Sequence, residues 1–145
     1  MTGVASITRA TSIQDFAAAQ MSGLLTTLAD RIHRAAKKPG PVEIHDLRVS
    51  IRRFSQGLQL FDEFYPKDQV KQIRVMLKGL MRLTSAIRDR DITLEYLAAA
   101  GHAAHQPRLE KERLSYQRQF ARMLQRWSAQ GFQNQWRSGL SLRNV

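Results

Sequence analysis

His45-Asp46-Leu47-Arg48-Val49-Ser50-Ile51-Arg52-Arg53 lies inside a segment whose spacing predicts a helix from about Pro41 to Phe64. Ile44, Leu47, Ile51, Phe54, Leu58 and Phe61 recur at alternating intervals of three and four, which sets them on one helical face and marks that face as core. His45, Arg48 and Arg52 keep the same rhythm one residue later, a second stripe turned by roughly 100° from the first. Arg53 lies beside it. Cations in register along the border of a buried face either snorkel for solubility or present themselves to an anion.

The next segment, about Pro66 to Ile87, repeats this design. Val70, Ile73, Leu77, Leu80, Thr84 and Ile87 form its apolar face, and Lys71, Arg74, Lys78 and Arg82 form an adjacent basic row with the same one-residue offset. If the two helices are antiparallel neighbours with their core faces turned the same way, equal offsets rotate in opposite senses. Both basic rows then lie in the shared groove or on opposite outer flanks, and the sequence leaves the hand open. Beyond them, Asp89 and Asp91 of Arg88-Asp89-Arg90-Asp91 fit the N-terminus of a further helix reaching about Ala99, as caps paired locally with Arg88 and Arg90.

Upstream, Thr11 or Ser12 can cap a first helix, with Asp15 in its opening turn. Ile13, Phe16, Ala17, Gln20, Met21, Leu24, Leu28 and Ile32 form its face, and Lys37-Lys38-Pro39-Gly40 ends it. Downstream, a long helix runs from about Pro107 to Gln130 and stops at Gly131. Leu109, Tyr116, Phe120, Met123, Leu124 and Trp127 make its core face, while Arg108, Lys111, Arg118, Arg122 and Arg126 make another basic row. Phe132, Trp136 and Leu140 can form one more amphipathic turn. The two tryptophans fit core or interface packing better than stacking on bases. The fold expected is an all-α antiparallel bundle of about four to six helices.

The chain of 145 residues carries a net charge of +11, which favours a polyanionic partner: nucleic acid, polyphosphate or an acidic membrane surface. One domain, 1–145, is expected, with 1–10 as a flexible N-terminus. Cysteine is absent, which removes disulfides and thiolate metal sites. No run approaches the ~18 apolar residues of a membrane span, and the start lacks a signal-peptide pattern, so a soluble, cytoplasmic protein is expected. His102 and His105 have no carboxylate or further histidine nearby in sequence to complete a metal site. No nucleophile-base pair, glycine-rich phosphate loop or catalytic acid pair is evident. The expectation is a non-enzymatic binder without cofactor.

The spacing H-x-x-R-x-x-x-R-R from His45 to Arg53, the following Leu60-Phe61, and Ile87-Arg88-Asp89-Arg90-Asp91-Ile92 after one intervening helix together resemble the CHAD family, the conserved histidine α-helical domain. The resemblance is detailed from about Val42 to Leu97 and extends to Trp136 in helix pattern. It implies a helical protein that binds inorganic polyphosphate through basic residues, many relatives being associated with polyphosphate granules. His45, Arg48, Arg52 and Arg53 match the basic motif and would line the polyphosphate groove. Arg88 would be available for phosphate or pairing, with Asp89 and Asp91 structural. Lys71, Arg74, Lys78 and Arg82 fit the family's basic third helix, and Arg118, Arg122 and Arg126 complete the polyphosphate-binding set we expect.

Guanidinium forks suit paired phosphate oxygens better than ammonium groups do. His45 is open to two readings: protonated beside phosphate, or neutral and hydrogen-bonded at the core border. Nucleic acid is the competing ligand, and an acidic protein surface the third. The usual CHAD domain has two such halves, and this chain has one. A second copy can supply the missing half through a two-fold interface. Val49, Leu60, Met76, Leu83, Phe132, Trp136 and Leu140, more apolar surface than one small bundle is expected to cover, point to that homodimer.

Overall fold

The computed structural model describes residues 2–142, and side chains from residue 13 onward with Ala103 excepted. Among the described residues five α-helices follow one another: α1 (Thr2–Lys37), α2 (Pro41–Leu60), α3 (Lys67–Ala100), α4 (Gln106–Gln130) and α5 (Phe132–Gly139). Short 3-10 turns at Asp62–Phe64 and Ala103–His105 precede α3 and α4. Contacts across neighbouring helices fix their sense. Arg48 reaches Ser85, and Arg52 shares a groove with Lys78. Arg90 meets Glu112, while Leu83 lies with Gln119 and Met123. In both pairs, residue numbers rise on one helix as they fall on the other, so α2/α3 and α3/α4 are antiparallel. The chain folds as the all-α antiparallel bundle expected, with α3 flanked by α2 and α4.

The predicted faces of the middle helices form the core. Ile44, Leu47, Ile51, Phe54 and Leu58 of α2 are buried against Val70, Ile73, Leu77, Leu80 and Ile87 of α3. Phe61, just past α2, packs half-buried on the same cluster. Gly57 marks a close approach of α1 to α2: a Cβ there would run into the fully buried Met21 sulfur. Pro66 holds Tyr65 in an extended conformation, as a proline does to the residue before it.

Four expectations change. The first helix begins at Thr2, so Thr11 and Ser12 lie within α1 and do not cap it. No proline interrupts that stretch. On α1 the buried row is Ala17, Met21, Leu25, Leu28, Ile32 and Ala35, with Leu24 half-buried and Ile13, Phe16 and Gln20 exposed. The helices placed on either side of Asp89 are one, because Arg90 and Asp91 bond across to Glu112 and Arg113 of α4 and nothing between them breaks the backbone. That helix ends only at Gly101, whose φ of 75° is the left-handed stop that glycine adopts without a Cβ penalty. Lastly, Leu83, Phe132, Trp136 and Leu140 are buried inside this chain. The α5 segment folds back over its own bundle, so these residues are not spare surface for a partner.

Among the described residues, the Tyr65 hydroxyl is the buried side-chain oxygen left without a hydrogen bond. Desolvation pushes its pKa up to about 12. An unfolded tyrosine ionises near pH ~10, so above that the unfolded chain binds fewer protons than the folded one and stability falls as pH rises towards 12. Tyr65→Phe removes both the orphan hydroxyl and the titration. We expect the variant to be more stable by about 1 kcal/mol at pH 7, with a shallower alkaline decline in urea melts recorded between pH 9 and 11.

Candidate functional site

The α2/α3 interface decides which way the basic rows face. Arg52 of α2 and Arg74 and Lys78 of α3 line one groove of about 350 Å³, over a floor of Ile51, Leu77 and Met81. The rows therefore meet in the shared groove and not on opposite flanks. Ser55, Gln56 and Gln59 add hydroxyl and amide donors along it. Sequence reading passed over these, although Gln56 and Gln59 stand four and seven residues beyond Arg52, on the same face.

Arg48 plays a different part from Arg52. Half-buried, it spans the α2/α3 seam and donates to the Met81 carbonyl (3.3 Å), Thr84 Oγ1 (3.4 Å) and Ser85 Oγ. Burial lowers its pKa below the usual arginine value; the Arg52 and Arg88 charges push the same way, and Asp89 opposes them. Arg48, Arg52 and Arg88 thus form one electropositive cluster, with Arg48 as its strap to α3. Arg48→Gln should lose about 1–2 kcal/mol in chemical denaturation, because it strips hydrogen bonds at a partly buried seam. Arg52→Gln, on an exposed position, should stay within about 0.5 kcal/mol of the parent. Arg48 is therefore unsuitable as a fold-neutral probe, contrary to what its place outside the apolar stripe suggests.

A second groove lies on the other flank of α3. Arg82 lines it with Arg122 and Arg126 of α4, across about 560 Å³, above Leu83 and Met123 and beside Gln119 and Gln125. No carboxylate lines either groove. Among the described residues, the ion pairs engage Arg31, Arg34, Lys38, Arg90, Arg108 and Arg113. None of the six groove cations has an acid of the described residues within 4.0 Å.

The remaining predicted residues are spread around these grooves. His45 is exposed, and seven residues before Arg52 it falls on the same stripe of α2. Arg53 is also exposed, but it stands seven residues after Asp46, which lines the α1/α2 side with Arg31 and Arg34. It thus flanks the α2/α3 groove from the outside. Lys71 is exposed near the α2–α3 turn, where Asp62 and Glu63 put negative charge at the end of the basic track. Arg118 is exposed one turn before Arg122.

The Arg88-Asp89-Arg90-Asp91 element divides by helix face. Arg90 bonds Glu112 at 3.3 Å and sits 4.7 Å over the Tyr116 ring. Asp91 pairs with Arg113, which also donates to the Pro39 carbonyl (2.7 Å) and to Gln117 (2.8 Å). These two residues lock α3 to α4 and to the α1–α2 turn, while Asp89 faces the Arg48 cluster. Asp91 is structural, as expected, but through partners on another helix. Among the described residues, no three His, Asp or Glu side chains are grouped to hold a metal, and no helix is long and apolar enough to cross a membrane.

Neither tryptophan is available for stacking on a ligand: Trp127 is 5 % and Trp136 3 % exposed, both within the core. The grooves offer cations and amides over aliphatic floors, with no aromatic lining. No curated protein and no solved structure matches the chain. A family model does, and its match takes in both grooves and the buried α5. Spanning residues 19–143, it shows that the chain belongs to the CHAD domain family.

Proposed function

We propose that this protein is a non-enzymatic binder of inorganic polyphosphate. The observation that carries this reading is the convergence of Arg52, Arg74 and Lys78 in one groove without an acid, within a chain of the CHAD family. A phosphate polymer presents closely spaced anionic oxygens and no base edges. Arginine forks and glutamine amides suit those oxygens, and the absence of an aromatic platform removes the usual means of holding single-stranded bases. Nucleic acid is the competitor to test, since the same arginines would attract any phosphate backbone. Titrating long-chain polyphosphate against DNA and RNA of equal charge at physiological salt separates them. Polyphosphate should displace both, and full displacement by either nucleic acid would overturn the assignment.

The same reading places the protein in the cytoplasm, in contact with polyphosphate granules. It also includes a homodimer, on narrower grounds than the sequence offered. With α5 accounted for within the chain, the support left is the single-half organisation together with Leu60 of the expected set, which is exposed, and exposed Ile92 and Tyr96 on α3 and Leu114 on α4. Ile92 and Leu114 stand at one level of the antiparallel pair, next to the Asp91–Arg113 bond. Sedimentation over a concentration series should show a dimer; a monomer near 16.6 kDa that still binds polyphosphate at full strength would rule it out.

A further inference from the structure

We propose that the two grooves act as one transverse belt, so that a single polyphosphate strand crosses the bundle from α2 over α3 to α4 and does not follow one groove lengthwise. This rests on the polyphosphate reading above and concerns the path of the polymer. The α3 row Arg74, Lys78, Arg82 has a spacing of four, and each such step advances 400°, a drift of about 40° around the helix. Over two steps the row therefore passes from one flank of the exposed crest towards the other. The side chains follow that drift: Arg74 and Lys78 line the groove with α2, and Arg82 lines the groove with α4. Lys78 and Arg82, one turn apart, hand the surface from one groove to the next.

The antiparallel register brings the remaining cations to the same level. Arg52 shares its groove with Lys78 and Met81. Arg122 and Arg126 share theirs with Arg82 and Leu83. Six unpaired cations from three helices thus lie within the few turns of α3 between Arg74 and Leu83, and no carboxylate lines either groove on the way. Along the bundle the positive surface is diluted, since towards the α2–α3 turn Asp62 and Glu63 line a further groove with Lys67, Lys71, Arg74 and Lys78. A polyanion continuing lengthwise to the turn would run onto those acids, whereas one that crosses from Lys78 to Arg82 and α4 moves away from them into a groove without an acid. Two interaxial spacings of about 8–10 Å each set the belt's width, which a triphosphate is too short to cover and a long chain covers easily.

The test compares tripolyphosphate with long-chain polyphosphate by calorimetry on the full chain, using wild type, Arg82→Gln and the double variant Arg122→Gln/Arg126→Gln. All three positions are exposed, and circular dichroism checks that each variant keeps its helices. Wild type should gain affinity from the short to the long ligand. Both variants should lose most of that gain, with long-chain affinity falling about tenfold or more in the double variant and its salt dependence becoming shallower. Unchanged long-chain affinity in both variants would overturn the belt and leave a binder using the α2/α3 groove alone. Growth of cross-linked particles in light scattering, from protein that sediments as a monomer, would also overturn it, by showing two grooves that hold separate strands. If wild type binds neither ligand, the polyphosphate reading itself fails.

Discussion

Replacing Trp136 with alanine is expected to cost about 3–5 kcal/mol of folding free energy, the range for deleting a buried aromatic from a core. Its ring stacks on Phe54 of α2 at 5.7 Å and meets Trp127 of α4 at 5.6 Å and Phe132 at 5.1 Å edge-on. Around it, Leu140 and Leu142 are buried, and Arg137 donates to Ser22 Oγ and Thr26 Oγ1 of α1, each at 2.7 Å. The α5 segment is thus the plug that joins α1, α2 and α4 at one end of the bundle. An eight-residue helix has no stability of its own in water, so its order depends on this docking. Where total stability is about 5–15 kcal/mol, the substitution should lower the melting temperature by about 10 °C or more. A loss below about 1 kcal/mol in urea would show that α5 is not part of the core.

That plug also shows where the sequence stops being readable. Periodicity identifies a helix face that is buried, and for α2 it found Ile44, Leu47, Ile51, Phe54 and Leu58. It does not show how many faces a helix buries. The α3 helix lies between two neighbours, so Leu83, outside the main stripe, is buried over the groove shared with α4. Phe132, Trp136 and Leu140 had a legible apolar pattern, but whether such a pattern covers its own bundle or a partner's depends on tertiary docking. The break expected at Asp89 failed for a related reason: a carboxylate that caps a helix N-terminus and one bonded across to Arg113 look alike in sequence. For the site, the matched one-residue offsets of the Arg48–Arg52 and Arg74–Lys78 rows limited the geometry to two arrangements, and packing selected the shared groove. The role of Arg48 was not legible, because a hydrogen bond to the Met81 carbonyl leaves no mark in the pattern of side chains.

The largest binding effect is expected from Arg52→Gln/Arg74→Gln, which removes a guanidinium from each wall of the α2/α3 groove. Hydrogen bonds to charged groups are worth about 1.5–3 kcal/mol when fully formed, and exposure and salt reduce that to about 1.0–1.4 kcal/mol each here. Two such losses should weaken long-chain polyphosphate binding about 30- to 100-fold at physiological salt. The dependence of log affinity on log salt should also flatten by about one unit for each phosphate contact removed, by analogy with nucleic-acid ligands. Neither arginine is paired with an acid, so the substitution leaves no buried charge behind and the melting curve should scarcely move. This contrast with Arg48→Gln is informative. At Arg48 the loss of a seam hydrogen bond and the loss of a ligand contact fall on the same side chain, whereas at Arg52 and Arg74 binding is changed alone. Full affinity and an unchanged salt slope in the double variant, alongside native stability, would show that the groove does not hold the polymer.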